Sequence, residues 1–275
     1  MKIAAIQMTS TPHLTDNLKQ AEALLSEAAK KGATLALLPE MFAIMGETTH
    51  DKLAVKEKMG QGPIQDFLQQ QAKKHHLWII AGTLPMACPN DHKVRAACLV
   101  YDAEGRFVAR YDKIHLYDAD ISTTEQYRES DTTEAGSKTV VIDTPVGKIG
   151  LAICYDVRFP ELFRALVNKG AEIFSLPSAF TVKTGQAHWE LLARARAVEN
   201  FCFVIGACQG GTHSSTRKTY GHSVIINPWG DVIALQANNN PGVIYAEIDR
   251  EQIYSLRKSI PVLQHQRAFK VITDE

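Results

Sequence analysis

The chain carries no surplus charge of either sign: 30 Lys and Arg stand against 30 Asp and Glu. With no whole-chain electrostatic footprint, neither nucleic acid nor a membrane is an expected partner, although a locally basic pocket stays open. Long apolar runs are also missing, so a bilayer span is not expected. Residues 1–6 hold one lysine and a few apolar side chains before Gln7, too little for the core of a signal peptide. Cysteine is scarce, at positions 88, 98, 154, 202 and 208. The number is odd, there is no Cys-x-x-Cys pair and no histidine stands at zinc spacing, which argues against a disulfide framework and a structural metal. Free thiols in a reducing, cytoplasmic setting are the expectation. His188, His213 and His222 are widely spaced and are expected to be hydrogen-bonded structural residues. There is no Gly-x-x-x-x-Gly-Lys-Ser/Thr loop, no strand followed by Gly-x-Gly-x-x-Gly and no Gly-x-Ser-x-Gly elbow, so nucleotide chemistry and a serine nucleophile lack their usual signatures. No cofactor and no metal are expected.

What the chain does have is 45% hydrophobic residues over 275 positions, enough for one large core. No repeat, low-complexity stretch or Pro/Gly-rich linker divides it, which predicts one domain over residues 1–275. Thr15 reads as the N-cap of a first helix, and Pro63 opens a second. Strand patterns include 2–7, 35–38, 77–83, 95–101, 106–111, 149–153, 173–176, 201–207 and 220–226. Strands and helices alternate in the first and third quarters and hairpin-like pairs fill the rest, so the fold class is α/β with mixed pairing. Residues 46–61 read as a loop beside the site. Residues 118–137 are polar, aperiodic and long for a loop in a compact domain, which points to a functional segment.

The stretch on which the rest converges is 147–161. Ile149-Gly150-Leu151-Ala152-Ile153 reads as a buried strand, Cys154 stands where it stops, and Pro160 suits the first turn of a helix with Glu161 near its positive end. A cysteine at a strand-to-helix turn has its side chain clear of the sheet and the next backbone N–H free, as a covalent nucleophile requires. A cysteine closing a strand is also a common packing residue. Two further strand ends carry charge, in Pro39-Glu40-Met41-Phe42 and in Tyr111-Asp112-Lys113-Ile114-His115. In open α/β sheets chemistry collects beyond the carboxyl ends of strands, so Glu40, Lys113 and Cys154 are able to converge. In this order and these contexts the blocks resemble the nitrilase superfamily of carbon–nitrogen hydrolases, and the resemblance runs from residues 3–8 to residues 261–267.

The resemblance implies a four-layer α-β-β-α sandwich of two mixed sheets, which periodicity alone does not deliver. It implies amide hydrolysis through a thioester, with Cys154 as nucleophile, Glu40 moving its proton, and Lys113 with the Tyr155 backbone N–H holding the oxyanion. Lys113 favours the thiolate and Glu40 opposes it, so a strongly acidic resting thiol is not expected. Glu129 matches the second glutamate of the superfamily, with Glu125 and Glu134 close by in sequence; a buried ammonium needs more than one carboxylate partner. Arg158 matches a position able to meet a substrate carboxylate and is expected to form or support an ion pair with Asp156. Ser178, Phe180 and Thr181 are further substrate-binding candidates.

The blocks at 178–181, 185–190, 194–197, 209–213 and 220–223 resemble the deaminated glutathione amidase branch. The ω-amidase branch, acting on 2-oxoglutaramate, is the alternative. Both imply the same keto-dicarboxylate acyl half, and Arg217 or Lys218 is the candidate for a dipeptide carboxylate on the leaving side. The expected partner is therefore a small-molecule amide. A catalytically silent oligomeric scaffold is the non-enzyme alternative, disfavoured by the intact Glu40, Lys113 and Cys154. Tails in the superfamily contribute to dimer contacts, so residues 260–275, with Pro261, Val262, Leu263 and Phe269, imply a homodimer or larger homo-oligomer.

Overall fold

The computed structural model describes residues 1–123, 125–215 and 217–269. Its centre is two sheets. The first runs Gly242–Glu247, Lys2–Gln7, Leu35–Leu37, Trp78–Ile80 and Val94–Tyr101. Leu84–Ala87 and Phe107–Asp112 also pair with Val94–Tyr101. The second runs Val232–Leu235, Val224–Ile226, Phe203–Cys208, Ile173–Ser178, Gly147–Leu151 and Val141–Thr144. In each sheet three central strands are parallel and the flanking pairs antiparallel, as the mixed sequence pattern predicts. Parallel neighbours need a crossover, and helices such as Leu14–Lys30 and Pro160–Asn168 supply it.

The period of two along each strand sets the layers. Ile3, Ala5, Leu35 and Leu37 point to one side and pack with Ile149, Leu151, Ile173 and Ile205 of the other sheet. Their neighbours Ala4, Ile6 and Ala36 point the other way, onto Leu24, Leu25 and Leu68 of helices Leu14–Lys30 and Pro63–His75. On the far face of the second sheet Phe163 of helix Pro160–Asn168 meets Phe174 edge-on at 4.9 Å. Trp189, just before helix Glu190–Asn200, covers Gly206. The outcome is the four-layer α-β-β-α sandwich expected above. Among the described residues no helix is long and apolar enough to cross a membrane.

Local chemistry moves several boundaries. The first helix starts at Leu14 with His13 at the N-cap, so Thr15 lies inside it. Asn17 instead ties the helix start down, accepting from Thr11 N at 2.7 Å and donating to Ala43 O at 2.9 Å. The apolar run 77–83 stops at Ile80 because Gly82 turns the chain at φ +56. The run 220–226 is likewise broken, at Gly221 (φ +73) and His222 (φ +60). The polar segment 118–137 is not structureless: Asp118–Asp120 and Gln126–Arg128 form a two-stranded ribbon and Glu129–Asp131 a 3₁₀ turn. In the tail Leu263 packs on the core while Phe269 is 86% exposed; residues 270–275 lie outside the described residues.

Gly206 tests the outer layer. A Cβ there would sit 2.6 Å from the Trp189 ring, which is buried and anchored by Nε1 donating to His222 O at 2.8 Å. Gly206→Ala is expected to destabilise the fold by about 1–3 kcal/mol through overpacking. The check is the thermal or urea midpoint, and an unchanged midpoint would mean that the indole has room to move.

Candidate active site

The carboxyl ends of three strands bring the chemical groups together. Glu40 follows strand Leu35–Leu37, Lys113 follows Phe107–Asp112 and Cys154 follows Gly147–Leu151. Behind Glu40 the backbone at Gly82 passes so close that a Cβ would lie 1.9 Å from Pro39 O, a position that only glycine fills. Met41, in the left-handed region at φ +58, is held by its N–H donating to Thr83 Oγ1 at 2.8 Å. Gln209 Nε2 donates to Glu40 O at 3.0 Å, tying the second sheet to the first at the site.

Lys113 is the junction. Its Nζ donates to Glu40 Oε1 at 2.7 Å and to Glu129 at 2.9 Å (Oε2) and 3.2 Å (Oε1). Glu129 Oε2 also accepts from Tyr117 N at 2.7 Å, which orients the carboxylate. The three side chains are 2%, 4% and 9% exposed, so two carboxylates and one ammonium share a dry site with a formal excess of one negative charge. Burial acts against the Lys113 charge, but Glu129 and Glu40 outweigh it and hold the ammonium well above its ordinary range. Burial likewise opposes the Glu129 charge, and Lys113 overcomes it and keeps this carboxyl below the usual carboxylate range.

Cys154 occupies the left-handed region at φ +44, a conformation costing of order 1–3 kcal/mol in a residue with a Cβ. Asp156, fully buried, braces the turn. It accepts from Ile153 N at 2.8 Å and Tyr111 OH at 2.7 Å on Oδ2, and from His115 N at 3.1 Å on Oδ1, with His115 Nδ1 at 2.7 Å. Burial pushes the Cys154 thiol well above its ordinary value and the Glu40 carboxylate adds to this, while Lys113 and the Ala179 backbone N–H pull the other way. The resting thiol is therefore protonated, in line with the expectation of a thiol that is not strongly acidic.

One cavity is lined by Glu40, Lys113, Glu129 and Cys154 together with Tyr155, Arg158, Phe180 and Thr181. Ser178 is not among the lining residues: it is fully buried at the end of strand Ile173–Ser178, its hydroxyl donating to Leu176 O at 3.2 Å. Thr181 caps the following turn, its Oγ1 accepting from Thr184 N at 3.3 Å. The expected Asp156–Arg158 pair is corrected. The Asp156 oxygens are taken by Tyr111, His115 and Ile153, and Arg158 instead lies over the rings of Tyr155 (5.8 Å) and Phe180 (5.7 Å), 3.3 Å from His188 Nδ1. Of the neighbouring glutamates, Glu125 accepts from Tyr127 OH and Glu134 pairs with Arg95, leaving Glu129 as the one that reaches Lys113. Arg217 lines the cavity, whereas Lys218 is exposed on strand Lys218–Tyr220.

Sequence pattern did not single out Lys52, which lines the cavity from the short helix Asp51–Ala54. The polar character of residues 46–61 was the only signal. Nor did it show Tyr111 and His115 as braces of the cysteine turn, since that depends on contacts 41 to 45 residues apart. His213 is a structural residue, with Nδ1 at 2.8 Å from Ser10 O and Nε2 at 2.6 Å from Thr219 Oγ1, and burial holds its pKa down to about 4.

Comparison with known proteins places this geometry in context. Residues 2–258 match the family model described as carbon–nitrogen hydrolase. The chain is 40% identical over 273 residues to a Yersinia enterocolitica protein named deaminated glutathione amidase, covering 96% of this chain and 92% of that one. Its fold superposes on the Caenorhabditis elegans NitFhit protein with a TM-score of 0.89 at 37% identity over 97% of this chain; it spans only 65% of that protein. It also superposes on Saccharomyces cerevisiae Nit3, described as a member of branch 10 of the nitrilase superfamily, with a TM-score of 0.85 at 33% identity over 95% of this chain and 94% of that one. Sequence, fold and the grouping of Glu40, Lys113 and Cys154 agree: the chain belongs to the carbon–nitrogen hydrolase family.

Proposed function

We propose that the protein hydrolyses the amide bond of deaminated glutathione, releasing 2-oxoglutarate and cysteinylglycine through a thioester on Cys154. The observation that carries this reading is the single cavity in which Cys154 meets the Glu40–Lys113–Glu129 cluster, with Arg158 and Arg217 on its walls. Proteins 40% and 42% identical over 96% and 95% of this chain bear the name deaminated glutathione amidase, which supports the choice of substrate.

Because the thiol is protonated at rest, attack and proton removal have to be coupled. Glu40 takes the thiol proton as sulfur forms a bond to the amide carbon. The carbonyl electron pair moves to oxygen, where one N–H of Lys113 and the Tyr155 backbone N–H receive it; such donors are typically worth about 3–4 kcal/mol each. An N–H of Lys113 is released for this task when its longer contact, to Glu129 Oε1 at 3.2 Å, gives way, while those to Glu40 Oε1 and Glu129 Oε2 are kept. Collapse breaks the carbon–nitrogen bond while Glu40 returns its proton to the leaving amine. Water then attacks the thioester, Glu40 accepts a water proton, the carbon–sulfur bond breaks, and the proton passes back to sulfur. Glu129 positions Lys113, and Arg158 meets the carboxylate of the acyl half. Five free thiols suit a cytoplasmic setting, and exposed Leu191, Val198 and Trp229 together with the tail support a homodimer.

Cys154→Ala is expected to leave a folded protein of unchanged size by size-exclusion chromatography with no measurable amide turnover; loss of the fold would make Cys154 a structural residue. Glu40→Gln is expected to lower kcat about 100-fold or more, since the amide cannot carry the proton. Removing that negative charge also lets the thiol pKa fall, so iodoacetamide labelling at neutral pH should hold or accelerate while turnover collapses. Parallel loss of both would indicate a disrupted site rather than a missing proton carrier. In a side-by-side assay kcat/KM should be higher for deaminated glutathione than for 2-oxoglutaramate, and the reverse order would favour the ω-amidase alternative while leaving the roles of Glu40, Lys113 and Cys154 intact.

A further inference from the structure

The cavity contains more positive charge than its own carboxylates neutralise. Lys113 is met by both Glu40 and Glu129, yet Lys52, Arg158 and Arg217 line the same cavity without an ion-pair partner among the described residues. None of their contacts among the described residues is a carboxylate. Lys52 Nζ donates to Thr133 Oγ1 at 2.7 Å, Arg158 contacts His188 and the Tyr155 and Phe180 rings, and Arg217 lies 5.9 Å over the Tyr127 ring with Nη2 at 3.5 Å from Met41 Sδ. Cations withdrawn from water are ordinarily paired with anions, because the desolvation cost is otherwise uncompensated. These three are half-buried, and three partly desolvated cations without carboxylate partners around one cavity point to anions that arrive with the ligand.

The cations fall into two groups. Arg158 belongs with Tyr155 and Phe180, on the segments that carry Cys154 and follow strand Ile173–Ser178. Lys52 and Arg217 form the second group: both stand against segment 127–133, Lys52 through Thr133 and Arg217 over the Tyr127 ring, and Arg217 is anchored beside Met41, next to Glu40. Burial, with repulsion from Lys113 and Arg217, brings the Lys52 pKa down to about 8 even though Glu129 and Glu40 pull it up. Burial is the leading cause, and the neighbouring cations add to it.

We propose that Lys52 and Arg217 form an anion subsite for a carboxylate on the leaving-amine half of the substrate, so that the protein selects amides charged at both ends. This rests on the amidase reading above and deepens it. Arg158 takes the acyl-side carboxylate, the reacting carbonyl lies between the two groups beside Cys154, and Lys52 supplies a point charge that Arg217 supplements with its planar fork. A dipeptide leaving group with a free C-terminal carboxylate has the required chemistry, whereas ammonia has nothing for the subsite to hold.

The experiment uses the full-length protein and a matched pair of substrates: deaminated glutathione and the same molecule with its C-terminal carboxylate converted to a carboxamide. The wild type should favour the carboxylate form by about 10-fold or more in kcat/KM, as charge-assisted contacts allow. Lys52→Met should reduce that preference to within about 2-fold, mainly by raising KM for the carboxylate form, and Lys52→Arg should restore most of it. If Lys52→Met lowers both substrates equally, Lys52 merely positions Thr133 and Glu129 and the proposal is overturned; equal use of both forms by the wild type overturns it as well. Should the wild type cleave neither, the amidase reading itself fails. The subsite is then judged by labelling of Cys154: cysteinylglycine must slow iodoacetamide more than its carboxamide does, and that difference must vanish in Lys52→Met. Absence of a difference refutes it.

Discussion

The buried ammonium of Lys113 between Glu40 and Glu129 is the constraint on which the site depends. An ammonium 2% exposed is sustainable only with carboxylates in direct contact, and here these come from two separate parts of the chain. Glu40 arrives at the end of a parallel strand, Lys113 at the end of a hairpin, and Glu129 on a 3₁₀ turn after a two-stranded ribbon. The ammonium therefore does two things at once. It closes the chain around the cavity, and it brings an acidic group and a cationic donor beside the same sulfur.

The charge count of this cluster also sets how the thiol behaves. With two carboxylates to one ammonium, and little water, the surroundings disfavour a thiolate. In the mechanism proposed above, reactivity is produced during the reaction by moving the proton onto Glu40, and it is not stored in a low-pKa cysteine. The strained backbone at Cys154 fits this economy. Its left-handed turn is held by four contacts to one buried carboxylate, Asp156, so the sulfur is positioned by the fold rather than by the substrate.

Charge on the whole chain and charge in the cavity are separate quantities. The 30 basic and 30 acidic residues cancel in sum, but much of the cancellation takes place elsewhere, for example Arg250 with Glu172 and Arg106 with Asp102. The cavity keeps Lys52, Arg158 and Arg217 without such partners among the described residues. A neutral total thus conceals an electropositive recess suited to an anionic small molecule.

Strands ending in Pro39-Glu40, Asp112-Lys113 and Ile153-Cys154 were legible from apolar runs, and chemistry in α/β folds collects past the carboxyl ends of strands; that two of these ends belong to one sheet and the third to the other was not legible. So were most strands and helices, since period and punctuation are local properties. The halt of the 77–83 run at Gly82 was not, because it follows from the approach of Pro39 across 43 residues of chain. Ser178 reads as a residue beside the site, yet its place in the strand turns its hydroxyl back to Leu176 O. Arg158 reads as the partner of Asp156 two positions away, but Tyr111, His115 and Ile153 occupy the oxygens of that carboxylate. What the sequence by itself determined was the set of strand ends and the chemistry standing on them. Which glutamate meets Lys113, which residues brace Cys154 and that Lys52 faces the cavity were decided only by tertiary structure, because each is a contact between segments far apart in the chain whose side-chain directions local pattern does not encode.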